Sequence, residues 1–504
     1  MEFPTLVDEI LAGFFAHYPT VATELGNHDH DGRWPDLTDA GRGARIDFLT
    51  DAEQRVSALD PATLSRDDAI DRRILLENIA ASRFFEERLR EPEWNPLSYT
   101  YLFGGGLFAL LSREFAPLPD RLRSAAARMR GLPAALEQAR ATLRSGGARA
   151  VSRFHTERAI ATITGVADLA RQAAGQATEL DDAQLRTEVE AAAEEAARAV
   201  DEFTAWLRDE LLPAASGDFR LGAELYREKF RHALKSDLAP DDLAARAQAA
   251  FDEVRAEMTR LARQLWPSWV GEEPQPADDN VLVRRVLDAI ASDHPRADEL
   301  LDYCRAENER IETFIRQIDL IGLADEPLEI IWTPEFLRAT GGAMLIPPGP
   351  LDRGLSSFFA ITPMPDDWTD AQRESYLREE NRRQLRLLTI HEAVPGHYLQ
   401  LAYSNRCPSL VRSIFASGVF AEGWAVYVTQ VMMDVGYGGD DAALMLVHWK
   451  FYLRAIINAM IDIRIHSGSM DRSEAMRLMV EDGFQEESEA ANKWDRARLS
   501  STQL

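Results

Sequence analysis

The chain has 504 residues, 46% of them hydrophobic, with 29 Gly and 24 Pro, which suits a large buried core and not a disordered chain. Lysine and arginine total 56 against 83 aspartate and glutamate. The resulting net charge of -27 argues against a surface built for nucleic-acid phosphates or anionic lipid.

Only Lys229, Lys235, Lys450 and Lys493 are lysines; every other basic residue is arginine. Cys304 and Cys407 stand far apart, so neither a disulfide framework nor a thiolate zinc site is expected, and a reducing compartment is. The opening MEFPTLVDEILAGFF is acidic where a secretory leader would be basic. No run of about 18 apolar residues is free of charge. The nearest, Phe451 to Ile465, holds Arg454, Asp462 and Arg464. The expectation is a cytoplasmic protein that engages neither nucleic acid nor membrane.

From Asp120 to Arg263 apolar residues recur every three to four positions in an Ala-, Arg-, Glu- and Leu-rich sequence. That period predicts helices, with breaks at Gly131-Leu132-Pro133, Ser145-Gly146-Gly147, Pro213 to Gly217 and Ala239-Pro240. Glu188 to Glu195 reads as a solvated helix face. The acidic, Pro-rich stretch Trp266 to Asn280 reads as a surface loop between two lobes of one domain spanning 1–504, a helical lobe 1–270 and a catalytic lobe 271–504.

Strand signal is confined to Leu328–Trp332 (LEIIW), Ala343–Ile346 (AMLI) and Ser356–Thr362 (SSFFAIT), enough for one small sheet with SSFFAIT at its edge. Thr369 followed by Gln372 predicts a capping box that opens a helix running to about Val394. Further helices are expected over Phe420 to Val435 and Asp441 to His466. The fold class is therefore mainly α: a large two-lobed helical protein with a central cleft and one small β-sheet near the active site.

The chemistry centres on HEAVPGH, His391 to His397. Adjacent His and Glu on a helix with a second His nearby suit a zinc hydrolase: the imidazoles hold the metal, and the carboxylate takes a proton from water. Histidines four apart share a helix face, whereas six residues turn about 240° and rise about 9 Å. Pro395 must interrupt the helix, and Gly396, which tolerates positive φ, lets the extra residues loop out. The pair predicts a bulge that returns His397 to the ion held by His391.

Glu422, in FAEGWAVY, completes a two-histidine, one-carboxylate set for a single zinc ion, with Trp424 and Tyr427 walling the site. Arg454, Asn458, Asp462 and His466 recur at i+4 steps and form one polar stripe on an apolar helix. His466 is read as donor to the developing oxyanion, Asp462 as a carboxylate orienting a histidine, and Arg464 as a substrate contact or a surface ion pair. The run His28-Asp29-His30-Asp31 sits among Gly26, Gly32, Trp34 and Pro35 and reads as a turn. His448 reads as core.

At HEAVPGHYLQ, EGWAVY and the Asp462…His466 pair the sequence resembles the bacterial family catalogued as domain of unknown function 885. FFAHYPTVATELGNHDHDGRWPD resembles that family's opening segment. The resemblance implies a mainly helical, cleft-bearing fold similar to gluzincin metallopeptidases. It implies His391, His397 and Glu422 as metal ligands, Glu392 as general base, and no defined substrate. One departure is SSTQL, Ser500 to Leu504, where family members look as though they continue into a Tyr-Gly-containing helix; a tyrosine from it would share the oxyanion role with His466.

The expected function is zinc-dependent hydrolysis of short peptides. Hydrolysis of a non-peptide amide or ester, and a non-catalytic binding protein with a structural metal, are the alternatives.

Overall fold

The computed structural model describes residues 2–334, 337–338, 342–352 and 354–502. The chain divides into two compact units. The first takes Met1–Phe219 together with Pro348–Ser356 and Ser404–Ala416; the second takes Arg220–Pro347, Ser357–Tyr403 and Ser417–Leu504. The main division falls at Phe219–Arg220, not near residue 270.

The named elements of the first unit are all helices, joined by irregular stretches. One core gathers Leu6, Ile10, Leu49, Val56, Leu75 and Ile79 from its early helices, with Val411 and Ile414 from the late strip. His28 anchors the other strip: its ring nitrogens lie 2.9 Å from Asp31 and 3.1 Å from Asp352, and the ring stacks on Phe115 at 3.7 Å. Both nitrogens are thus engaged, in keeping with a structured turn. Helix Leu118–Ser145 runs through the expected break at Gly131-Leu132-Pro133. Its buried row, Leu122, Ala126, Met129, Leu132 and Leu136, outweighs the roughly 3 kcal/mol that an interior proline costs.

In the second unit the elements are α1 (Ala223–Leu234), α2 (Pro240–Trp269), α3 (Asp279–Ala291), α4 (Leu300–Ile318), β1 (Leu328–Trp332), β2 (Ala343–Ile346), β3 (Ser357–Ile361), α5 (Asp370–Glu379), α6 (Arg382–Glu392), α7 (His397–Asn405), α8 (Gly418–Asp434), α9 (Ala442–His466) and α10 (Glu487–Leu499). α2 continues past Pro267 into the stretch expected as an inter-lobe loop, and α2 and α3 both belong to this unit. Pro267 leaves the Arg263 carbonyl without its helical donor, and the Gln275 side chain supplies one at 3.0 Å.

The sheet order is β1-β3-β2, with β1 parallel and β2 antiparallel to β3. SSFFAIT is therefore the central strand and not the edge. Its Phe359, Ala360 and Ile361 are all buried, as a strand covered on both faces requires. The expected helix from Thr369 to Val394 is two helices. The Thr369–Gln372 box opens α5, and Asn381 then caps α6 by accepting from the Arg383 and Gln384 amides. Leu385 and Leu388 of α6 pack with Ile330, Phe359 and Cys304, so the sheet and α4 form the floor beneath the end of α6.

α9 is long and apolar enough to cross a membrane, yet over half of that stretch is buried within the protein. Its Lys450 pairs with Glu379 at 2.8 Å, both buried, and Arg454 pairs with Glu489 at 2.8 Å. Burial works against the Glu379 carboxylate, but Lys450 and Arg454 hold it below its ordinary range. Glu380 next to it is pushed up to about 8 by burial and then by the Glu379 charge.

Breaking a buried pair strands a charge, so Lys450→Met is expected to cost about 3 kcal/mol in urea denaturation. Glu380 binds its proton more tightly folded than unfolded. Its contribution is full below about 4.5 and is lost as pH rises through about 8. Glu380→Gln should accordingly flatten the fall in stability between pH 5 and 8, measured as the denaturation midpoint against pH.

Candidate metal centre

α6 ends at Glu392, where Ala393 leaves helical geometry (φ -100°, ψ -107°), and a new helix starts at His397. The connection contains a cis Val394–Pro395 peptide. The motif is thus a helix, a turn and a second helix, in place of one bulged helix. Gly396 does not adopt positive φ. It is needed for room: a Cβ there would lie 1.9 Å from the His391 carbonyl oxygen and 2.4 Å from that of Ile390. The Trp424 indole N–H donates to the Pro395 carbonyl at 2.8 Å and ties the turn to α8.

The turn brings the two imidazoles together, with ring centroids 4.7 Å apart at 82°. Glu422, on the second turn of α8, places Oε2 3.8 Å from His391 Nε2 and 3.6 Å from His397 Nε2. Ser417 caps α8 by accepting from the Phe420 amide, so Glu422 is not needed as a cap. His391, His397 and Glu422 form the one group among the described residues whose ligand atoms converge as a metal site requires, all within 4.8 Å of one another.

The spacing fits a cation better than direct contact. Distances of 3.6 and 3.8 Å are too long for hydrogen bonds, whereas ligands about 2.05 Å from a tetrahedral zinc lie about 3.3 Å apart. Both histidines are buried, and the Glu422 side chain is 63% exposed, so the cluster is open on that side. Burial, and then the charge of His397, push His391 down to about 3. Its imidazole is therefore neutral, as a metal ligand must be. Contact with His397 is the main influence lowering Glu422; burial opposes the rise at His397, but Glu422 prevails.

Glu392 is buried beside the cluster, and its Oε2 has no hydrogen-bond partner among the described residues. Burial pushes its carboxyl up to about 7, while the His397 charge and the backbone N–H of Leu345 on β2 oppose the rise. Phe451 of α9 packs edge-on against His391 at 5.4 Å. Tyr427 is exposed, with its ring 6.3 Å from Trp424.

The polar stripe of α9 does not stay at this centre. The charge of Arg454 acts on His391, but His466 lies about 22 Å of helical rise beyond Phe451. There His466 Nε2 is 2.8 Å from the Ala497 carbonyl, and the ring stacks on Tyr226. Asp462 lies about 16 Å of helical rise beyond Phe451, where it accepts from the Tyr226 hydroxyl at 2.7 Å and the Thr502 amide at 3.0 Å. Arg464 is a surface residue 3.8 Å from Glu474. The i+4 rule located a buried polar row correctly, yet 25 residues of helix are too long for the whole row to serve one centre. His448 is core, 2.7 Å from the Gln430 amide oxygen. Of the SSTQL ending, Gln503 and Leu504 lie outside the described residues.

A mainly helical chain with one three-stranded sheet and a His-His-Glu cluster is the class these features define. The family model described as bacterial protein of unknown function (DUF885) matches residues 19–504, and the chain belongs to that family. It is similar to the structure of a presumed lipoprotein of unknown function from Shewanella oneidensis, with 30% identity, a TM-score of 0.83, and 100% of this chain and 90% of that one covered. It also shares the fold of a presumed lipoprotein from Colwellia psychrerythraea, at 14% identity and a TM-score of 0.75, over 98% and 88% of the two chains. No curated protein matches.

If the cluster takes one zinc ion, Gly396→Ala should displace His397 and reduce that ion to background, read by elemental analysis of the purified protein. On the same condition Trp424→Phe should keep the fold and weaken zinc about 10–100-fold in a chelator competition, since it removes the group that holds the turn.

Proposed function

We propose that the protein is a zinc-dependent hydrolase of short peptides, with His391, His397 and Glu422 holding one ion and Glu392 serving as the base. The observation that carries this reading is the convergence of the three ligand side chains next to a buried carboxylate with an unpartnered oxygen. A bound divalent cation would supply Lewis acidity, polarising a carbonyl and lowering the pKa of water. Glu392 would take the proton of the attacking water and pass it to the departing amine nitrogen as the C–N bond breaks and the water oxygen bonds to the carbonyl carbon.

Exposure of Glu422 supports catalysis over a purely structural ion, because structural zinc sites are closed by protein on all sides. A gluzincin-type likeness and a cleft above the ligands belong to this proposal. β2 supports a peptide substrate. It is an edge strand, and the Leu345 N–H that acts on Glu392 belongs to it, so an extended peptide could add to that edge. His466 has no role in the scheme.

For the compartment, the two unpaired cysteines support the cytoplasm. The lipoprotein description of the two solved relatives favours the cell envelope instead, and fractionation of cells producing the native protein separates the two.

Glu392→Gln is expected to retain one equivalent of zinc while lowering turnover of a peptide library by about 10²–10⁴-fold. Near-normal digestion by that variant, or undiminished digestion by the wild type after exhaustive chelation, would refute the assignment.

A further inference from the structure

Two cations of α10 near the metal centre feel carboxylates around them, Asp462 and Glu489 at Lys493 and Glu489, Glu422 and Glu392 at Arg496, but none at contact distance. Lys493 and Arg496 are three residues apart, and Glu489 lies one and two turns before them, so all three share one face of the helix. Arg454 holds Glu489 against α9 at 2.8 Å. Lys493 is 4% exposed and Arg496 is half-buried. Neither makes a hydrogen bond or ion pair among the described residues. Their neighbours differ: Lys450 has Glu379, Arg454 has Glu489, and Arg498 has Asp495. In a chain with 83 acidic residues against 56 basic ones, partners were not scarce.

Burying a cation without a partner at contact distance is costly. Burial, with Arg496 and Arg454 adding to it, pushes the Lys493 ammonium down to about 7, and Asp462 and Glu489 offset this only in part. Arg496 acts electrostatically on both Glu392 and Glu422, so it lies within reach of the reacting centre, yet neither carboxylate comes to ion-pair distance. Asn458 of α9, between Arg454 and Asp462, adds a buried amide oxygen without a partner.

We propose that Lys493 and Arg496 receive the free C-terminal carboxylate of the substrate, making the protein selective for short peptides whose scissile bond lies close to that terminus. An anion placed there would balance both cations, and a planar guanidinium can grip a carboxylate through two parallel hydrogen bonds. The proposal rests on the hydrolase reading and narrows its substrate class.

The test compares benzoyl-glycyl-phenylalanine with its C-terminal amide as substrates. In parallel, N-acetyl-phenylalanine and N-acetyl-phenylalaninamide are titrated calorimetrically into full-length protein with and without zinc. The free acids should be favoured at least about tenfold in kcat/KM and in affinity. Arg496→Gln should bring both acid-to-amide ratios close to one, and Arg496→Lys, which keeps the charge, should restore them in part. Equal handling of acid and amide by the wild type, or a ratio that Arg496→Gln leaves unchanged, overturns the proposal. If neither peptide is cleaved but N-acetyl-phenylalanine binds in an Arg496-dependent way, the anion site stands and the hydrolase reading falls. Cleavage without acid preference has the reverse meaning, and absence of both cleavage and binding overturns the anion site as well.

Discussion

Between His391 and His397 the backbone folds back on itself so closely that the residue at 396 has no space for a side chain. The His391 and Ile390 carbonyls occupy the volume that a methyl group would need. This close approach lets one helix stop and another start with their first and last imidazoles facing each other. Glu422 then has two nitrogens to meet, and Glu392, still on the first helix, is left buried alongside. Trp424 ties the turn to the helix that carries Glu422, so the geometry of the His391, His397 and Glu422 cluster depends on a single crowded corner.

The surroundings set the charge states. The sheet and α4 support the end of α6 with apolar side chains, which keeps His391 neutral and makes ionised Glu392 expensive. Glu422 meets solvent on its open side and stays ionised through contact with His397. Farther along α9, by contrast, charges are buried in matched pairs, Lys450 with Glu379 and Arg454 with Glu489. Against that background Lys493 and Arg496 differ in making no ion pair among the described residues, which is the ground for assigning them a charge brought from outside.

Much of this could be read from sequence where the signal is local. The three strands lie where β-branched and aromatic runs placed them, the Thr369–Gln372 box is present, and HEAVPGH with EGWA picked out three side chains that converge. Misreadings arose where tertiary burial overrides local chemistry. Pro133 and Pro267 lie inside helices because packed rows and a borrowed Gln275 amide compensate for them. Glu380-Asn381 split a helix because an Asn cap outcompeted continuity. Alternation cannot say which strand lies in the middle, so an edge position for SSFFAIT gives way to a central one. His466 shares a periodic stripe with Arg454, but periodicity gives a direction around a helix and says nothing of distance along it. Arg496 was invisible, since nothing in a run of charged residues tells which one lacks a partner.

The chain passes from one unit to the other five times, and the strips Pro348–Ser356 and Ser404–Ala416 belong to the first unit although they interrupt the second. One strip joins β2 to β3, and the other separates α7 from the helix that bears Glu422. Neither unit is therefore a continuous stretch of gene. Recombination at any single point would deprive one unit of a piece of its own packing, so the architecture has to be inherited whole and cannot be assembled by shuffling modules.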